Sequence, residues 1–317
     1  SDVCSSDLGK PVAVASDVSI ESLAKTEHSG TLEFIRQPVA RLTGPLHTYF
    51  SVVQDDAAVQ IVCRAQMEFI RKMIAGTPNA DLPLLSACSP FKSGGIGGPN
   101  YYSYVPAGDI SIKNVADLYL YPNTVRAVKM TGAQIREWLE RSTLIFNRID
   151  PAQAGPQPLI NSLLPSYNFD VILGVTYRID VTQQARYSTV GRVVDPSAHR
   201  IVDLRYNGKP IDESASYAVV SFNNKAGGGG NFPGLDGSSI IFESSDNNQE
   251  ILKDWLTAQK TVSPTVTPTW SFAPIAVPVK VVFETSPSAR QFLAGQQRIR
   301  DAGDGEKGFA LFSIDLR

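Results

Sequence analysis

Apolar residues recur at helical spacing in five segments of the chain. The first helix is expected to start at Ser16 or Asp17, either of which can cap it, and to end at Pro38. A second, more regular pattern starts at the two aspartates of residues 55–56 and stops at the Gly-Thr-Pro sequence of residues 76–78. Three further helices are predicted after residue 132, over residues 247–260 and over residues 287–300.

Short apolar or alternating runs between these helices predict strands. They cover residues 84–88, 125–130, 171–181, 201–206, 217–222, 240–243, 279–284 and 309–316. An Asn-Gly pair directly after residue 206 is typical of a hairpin turn. Because strands and helices alternate irregularly, with hairpins among them, the pattern predicts an α+β fold in which a mixed β-sheet packs against helices.

The composition is that of a chain able to bury a core. Of 317 residues, 43% are hydrophobic and 19% are charged, which is unlike a disordered segment. Lys and Arg number 29 against 31 Asp and Glu, and a net charge of −2 is too balanced for binding a nucleic-acid polymer through its phosphates. No apolar run approaches the roughly 20 residues of a membrane span, so we expect no span.

Cysteine and histidine are scarce. Three cysteines, at positions 4, 63 and 88, match neither a disulfide framework nor a zinc knuckle. Cys63 is placed on a helix face and Cys88 at a strand end, and nothing in the sequence pairs them. His28, His47 and His199 are far apart in polar contexts, which predicts three surface residues and no metal site on this chain.

The first eight residues, SDVCSSDL, read as the translation of a common sequencing-adapter string. The alternative is an exposed acidic arm, since chain termini are often poorly ordered. We expect residues 1–8 to be an artefact, to be excluded from reasoning about the fold.

A run of four glycines dominates residues 222–232, FNNKAGGGGNF. Directly after a predicted strand, such a run removes every Cβ atom, so that a flat ligand or a phosphate can approach the backbone closely. The segment lacks both the Gly-Lys-Ser/Thr of a P-loop and the GxGxxG of a dinucleotide-binding turn. The alternative interpretation is a flexible loop.

Two other segments carry candidate chemistry. In residues 118–123, LYLYPN, alternation puts Tyr119 and Tyr121 on one face, and a tyrosine beside a loop can stack on a nucleobase or belong to the core. In residues 86–95, SACSPFKSGG, Lys92 follows a strand end and a turn. Its ammonium group is suited to a base or a phosphate, or is simply solvated.

These segments together resemble a known family. The chain is similar, from about residue 35 to residue 316, to the C-terminal half of the 2′,3′-cyclic-nucleotide 2′-phosphodiesterase/3′-nucleotidases, within the wider 5′-nucleotidase family. The resemblance rests on seven ordered segments: QDDAAVQIV (54–62), LLSACSPFK (84–92), ADLYLYPNT (116–124), YNFDVI (167–172), NGKPID (207–212), AGGGGNF (226–232) and FETSPSA (283–289).

The resemblance implies a division of labour. In the family, an N-terminal metallophosphatase domain holds two divalent metal ions and the catalytic residues, and the C-terminal domain sandwiches the nucleobase between two aromatic side chains. We therefore expect residues 9–50 to be an inter-domain helix and linker and residues 51–317 to be the nucleoside-binding domain. The resemblance also implies a periplasmic enzyme, whose metals and catalytic groups would lie in a domain that this chain lacks, leaving the chain inactive alone.

Matched residue by residue, the resemblance assigns a binding site. Tyr121 falls at the first stacking aromatic, Lys92 at a nucleoside contact, and Gly228 and Gly229 at the family's Gly-Gly pair. The second stacking aromatic falls on Asn224, which departs from the family and cannot stack as an aromatic ring does. Either Phe222 or Phe232 replaces it, or the base is held on one face only.

Two alternatives stay open at this stage. The chain is a stand-alone nucleoside-binding module without catalysis, or it is the C-terminal domain of a 5′-nucleotidase or UDP-sugar hydrolase. Gly230 stands where 5′-nucleotidases have an acidic ribose ligand, which favours the cyclic phosphodiesterase branch.

Overall fold

The computed structural model describes residues 16–317, so the interpretation of residues 1–8 lies outside the described part of the chain. Six α-helices are present in that part: α1 (Val18–Ile35), α2 (Ala57–Met73), α3 (Ile112–Leu118), α4 (Gly132–Ser142), α5 (Asn223–Ala226) and α6 (Asn248–Gln259). Short 3₁₀ turns cover Gly95–Gly97, Thr143–Ile145, Ser166–Asn168 and Pro287–Gly295.

Eighteen strands are described. They are β1 (Pro38–Leu42), β2 (Leu46–His47), β3 (Leu84–Cys88), β4 (Tyr104–Val105), β5 (Gly108–Ser111), β6 (Thr124–Thr131), β7 (Pro156–Pro158), β8 (Val171–Leu173), β9 (Val175–Ile179), β10 (Ile201–Tyr206), β11 (Lys209–Pro210), β12 (Ser216–Phe222), β13 (Ile240–Asn247), β14 (Thr261–Val262), β15 (Trp270–Phe272), β16 (Lys280–Thr285), β17 (Ile299–Asp304) and β18 (Ala310–Ile314).

A five-stranded mixed sheet in the order β13-β6-β12-β3-β8 forms the centre of the fold. Strands β12 and β3 run parallel, and every other neighbouring pair in this sheet is antiparallel. Strand β12 is buried from Tyr217 to its end because it lies in the middle of this sheet and α2 packs on it, which suits its mostly apolar sequence. The expected α+β fold with a mixed sheet is confirmed.

Smaller sheets surround this centre. Their orders are β17-β18-β16-β7, β11-β10-β9-β15 and β14-β1-β5, with β2 paired to β4. Strand β1 thus pairs with β14 and β5, both of which follow residue 50, although residues 9–50 are predicted to be an inter-domain helix and linker. The domain boundary at residue 50 stays a prediction.

Helices α2, α4 and α6 bury one face each in a continuous core. Asp56 caps α2 through hydrogen bonds from the backbone N–H groups of Ala58 and Val59, and Thr131 begins α4 in a capping box with Gln134. Trp138 of α4 is fully buried against the central sheet region. The helices predicted from apolar spacing at these positions are therefore present, with ends set by their caps.

Two predicted elements differ from the structure. The single strand expected over residues 171–181 is two strands in different sheets, β8 and β9, which Gly174 separates at a φ of 106°. The helix expected over residues 287–300 is a 3₁₀ segment followed by β17. Apolar spacing misses the first because the turn at Gly174, not periodicity, decides where the strand passes to another sheet. It misses the second because the same spacing fits a 3₁₀ segment as well as an α-helix.

Two cysteines permit one disulfide, but the sequence gives no reason to pair Cys63 with Cys88. The structure joins them in a disulfide between α2 and the end of β3, with Cα atoms 5.7 Å apart. Helix α2 packs directly on β3, and this packing brings together two cysteines that are 25 residues apart. Spacing along the chain contains no sign of that contact.

His47 is not a surface residue. Its ring lies against Phe292 at 4.2 Å and Tyr49 at 5.2 Å between centroids, and its Nδ1 atom is buried without a hydrogen-bond partner among the described residues. Burial lowers the pKa of His47 to about 4, so the ring is neutral at physiological pH.

Candidate nucleoside-binding site

The residues that the sequence singles out meet at one edge of the central sheet. Strands β3 and β12 end there, since they run parallel, and β6 and β8 begin there, since each is antiparallel to its neighbour. The registers place Phe222 beside Val125 and Cys88 beside Val171. Loops that are far apart in sequence are thereby brought to a common cavity.

That cavity has a volume of about 460 Å³. Aromatic rings, the turn formed by the four glycines of residues 227–230 (the glycine turn) and several amide or ammonium groups line it. The lining residues are Phe91, Tyr121, Asn123, Tyr167, Asn168, Phe222, Asn224, Lys225, Gly229 and Gly230. We call it the glycine-turn cavity. Aromatic rings beside amide and ammonium groups are suited to a small planar ligand with polar edges.

A larger cavity of about 740 Å³ adjoins it, and Phe91, Tyr121 and Tyr167 line both. The lining of the larger cavity includes the glycine-rich loop over residues 93–97, Tyr101 and three acidic residues, Glu284, Asp304 and Glu306. Tyr121 and Tyr167 therefore stand where the two cavities meet.

Tyr121 is half exposed at the cavity, whereas Tyr119 is buried. The ring of Tyr121 meets Phe91 edge-on at 5.3 Å, and Tyr119 meets the same phenylalanine at 4.9 Å. Tyr119 follows α3 and accepts a hydrogen bond at its hydroxyl from Asn248, so it belongs to the core. The segment is a loop rather than a strand, which separates the environments of two tyrosines that alternation predicts on one face.

The glycine turn approaches its neighbours too closely for side chains. A Cβ atom on Gly229 would lie 2.0 Å from Oδ1 of Asn224, and one on Gly230 would lie 2.7 Å from the Phe232 ring and 2.9 Å from Oδ1 of Asn168. Gly230 also has a φ of 79°. The glycines therefore serve tight local packing as well as leaving backbone open to the cavity.

A buried ion pair lies beneath the turn. Nζ of Lys225 donates to both carboxylate oxygens of Asp170, at 2.8 and 2.7 Å, and to the carbonyl of Tyr167 at 3.2 Å. Nε1 of Trp138 donates to the same carboxylate at 2.7 Å. Burial lowers the pKa of Lys225, and the Asp170 charge opposes that shift.

Arg141 holds the other side of the turn. Its guanidinium donates to the carbonyls of Gly230 at 2.9 Å and Thr189 at 3.1 Å, and lies 5.4 Å from the centre of the Phe232 ring. Nζ of Lys225 lies 4.2 Å from the centre of the same Phe232 ring. Two buried cations thus pack on Phe232 and fix the backbone that follows it.

Only some of the remaining predicted residues line a cavity. Phe222 and Asn224 line the glycine-turn cavity, but Phe232 is buried and lines neither cavity. Lys92 forms an ion pair with Asp117 at 2.8 Å and is absent from both linings. Gly228 is also absent from them, while Gly229 and Gly230 are present; the binding roles of all these residues stay predictions.

Sequence reasoning missed Tyr167, Asp170 and Lys225 as site residues. Two signals were available: the YNFD segment that carries the family resemblance, and a lysine three residues after the end of a mostly apolar strand. A charged residue in such a position requires a buried partner. The sequence alone does not identify that partner, which lies 55 residues away.

Within residues 16–317, no group of three or more His, Cys, Asp or Glu side chains could hold a metal ion. The described residues therefore do not fit a divalent metal site. In the same part of the chain, each helix is too short or too polar to cross a membrane.

The chain matches one protein-family model and is similar in sequence to several bacterial proteins. The family model described as "5′-nucleotidase, C-terminal domain" matches residues 38–237. The chain is 42% identical over 299 residues to the trifunctional nucleotide phosphoesterase protein YfkN of Bacillus subtilis, covering 94% of this chain and 20% of that protein. It is 40% identical over 320 residues to the 2′,3′-cyclic-nucleotide 2′-phosphodiesterase/3′-nucleotidase of Haemophilus influenzae, covering 97% of this chain and 49% of that protein.

A solved structure supports the fold. The putative 5′-nucleotidase of Staphylococcus aureus aligns with a TM-score of 0.61 at 16% identity, over 83% of this chain and 45% of that one. The chain thus spans a fifth to a half of the relatives it matches.

Proposed function

This chain belongs to the 5′-nucleotidase C-terminal domain family, and we propose that it is the nucleoside-binding part of a phosphohydrolase acting on 2′,3′-cyclic nucleotides and 3′-nucleotides. The names of the Haemophilus relative and of two further relatives, at 39–40% identity, support these substrates. The 5′-nucleotidase structures, at 16% identity, support the fold alone.

One observation carries the proposal. Tyr121, a half-exposed aromatic ring, stands at a cavity whose lining also includes the glycine turn and three amide side chains. Such a ring offers a stacking surface for a planar base, and amide groups offer hydrogen bonds to its edge. A 2′,3′-cyclic nucleotide and a 3′-nucleotide share the same nucleoside, so one such site serves both reactions.

The catalytic groups are assigned to a separate metallophosphatase domain. Two divalent ions bound in that domain would stabilise the attacking and leaving oxygens at phosphorus. The residues of the present chain bind the base, orient the nucleoside and exclude water from the stacking surface. Because catalysis depends on orientation, this contribution raises the rate without a reacting group of its own.

A periplasmic location is part of the proposal. The buried Cys63–Cys88 disulfide supports it, since structural disulfides persist in oxidising compartments and are rare in the cytosol.

Isothermal titration calorimetry of the purified chain with adenosine and 3′-AMP tests the binding role. We expect both ligands to bind and Tyr121→Ala to weaken binding, with Tyr104→Ala as a control, because Tyr104 is as exposed but lines neither cavity. Unchanged affinity in Tyr121→Ala would remove this residue from the site.

An activity assay tests the division of labour. The chain is expected to leave 2′,3′-cyclic AMP, 3′-AMP and bis-p-nitrophenyl phosphate intact, even with added divalent metal. Turnover by this chain that is absent from a matched mock purification would contradict the assignment of the catalytic groups to another domain.

A further inference from the structure

The departure at position 224 leaves one face of the proposed base site without an aromatic ring. Asn224 lines the cavity but offers no stacking surface. Phe232 is buried between Lys225 and Trp138, and Phe222 is almost as buried, with its ring 6.1 Å from Phe91. Neither phenylalanine presents a free face of the kind that Tyr121 does.

Tyr167 does present such a face. The residue is 40% exposed, close to the 38% of Tyr121, and the two tyrosines line both cavities. Tyr167 sits in the 3₁₀ turn before β8, whereas Tyr121 sits in the loop before β6. The two rings therefore approach the cavities from different loops at the same sheet edge.

The backbone that carries Tyr167 is held at two points. Its carbonyl accepts from Nζ of Lys225 at 3.2 Å, which ties it to the glycine turn. Oγ of the preceding Ser166 donates to the carbonyl of Pro90 at 3.0 Å, which ties the same turn to the loop of Phe91. An aromatic side chain on a fixed backbone binds a flat ligand with little additional ordering cost.

We propose that Tyr167 is the second stacking residue of the nucleobase, in place of the aromatic residue lost at Asn224, and that Lys225 is its positioning residue. This inference rests on the proposed function, since it names a residue of the same site. The ligand class is a nucleoside or nucleotide whose base is held between Tyr121 and Tyr167.

Titration of Tyr167 variants with adenosine tests the stacking role. Loss of one stacking face in Tyr167→Ala is expected to weaken binding about 5- to 150-fold, while Tyr167→Phe keeps the ring and most of the affinity. Tyr104→Ala serves as the control, and thermal unfolding checks that every variant is folded.

The outcomes separate the two proposals. If Tyr121→Ala weakens binding and Tyr167→Ala does not, Tyr167 is not a stacking residue, and the proposed function stands. If the wild-type chain binds neither adenosine nor 3′-AMP, both proposals fail. Equal losses in Tyr167→Ala and Tyr167→Phe would also overturn stacking, because they would assign the contact to the hydroxyl.

The positioning role of Lys225 is tested by a double-mutant cycle. Lys225→Met is combined with Asp170→Asn, so that no unpaired carboxylate is left in the core. We expect this pair to weaken adenosine binding when Tyr167 is present and to have no further effect in the Tyr167→Ala background. Additive losses would show that Lys225 does not act through Tyr167.

Discussion

At the scale of single residues, two factors require glycine in the glycine turn: a positive φ and the lack of room for a Cβ atom. Gly230 combines a positive φ with close contacts to Phe232 and Asn168, whereas Gly237 has a φ of 92° with open space where a Cβ would be. The two positions share the conformational requirement but differ in crowding, so comparing them separates the two contributions.

Gly230→Ala is therefore expected to destabilise the chain more than Gly237→Ala. Backbone strain alone costs about 1–3 kcal/mol, and the Gly230 variant must in addition displace an aromatic ring. Urea unfolding of the two variants measures the difference. Equal free energies of unfolding would mean that Phe232 and Asn168 move aside without cost.

His47 makes a second prediction at this scale. Its folded-state pKa of about 4 lies below the ordinary 6.5, so the folded chain binds fewer protons than the unfolded chain between these values. The contribution to stability is complete above pH 6.5 and is lost as the pH falls toward 4, on the order of 3 kcal/mol.

The measurement is the difference in unfolding free energy between the wild type and His47→Phe across pH 4–7. Wild-type data alone do not suffice, because burial raises the pKa of Asp55 to about 6 and of Asp56 to about 7. Those carboxyl groups make stability fall as the pH rises through the same window, which opposes His47. A difference that stays constant with pH would contradict the buried neutral ring.

At the scale of elements, the contact between α2 and β3 matters most for the site. The Cys63–Cys88 disulfide joins the helix to the strand end that leads, three residues later, to Phe91. The bond thus anchors in the core the strand end that leads to a wall of both cavities, and it closes a loop of 25 residues.

Removing the disulfide is expected to cost about 3–4 kcal/mol through the entropy of the unfolded chain. Urea unfolding of the wild type with and without dithiothreitol measures this cost. The double variant Cys63→Ala/Cys88→Ala should be less stable than the oxidised wild type and insensitive to the reductant. A wild type equally stable in both conditions would argue that the two thiols are unpaired in solution.

At the scale of the whole molecule, the cavity exists only because four strands meet at one sheet edge. A ligand that binds this folded arrangement and not the unfolded chain stabilises it by mass action. Adenosine at 100 times its dissociation constant is therefore expected to add about 2.7 kcal/mol to the free energy of unfolding. Thermal unfolding measures the shift, which should be much smaller for Tyr121→Ala at the same concentration; an equal shift would place the ligand elsewhere.

The sequence by itself determined the helices with strong spacing and clear caps, the α+β class and the family, because these depend on local periodicity and on ordered motifs. It also singled out Tyr121 and the glycine turn. Only the tertiary structure decided that Lys225 pairs with Asp170, that Cys63 meets Cys88, and that Tyr167 stands with Tyr121 at both cavities. The physical reason is that these contacts join residues 25 to 55 positions apart through sheet order and helix packing, which leave no periodic signal in the chain.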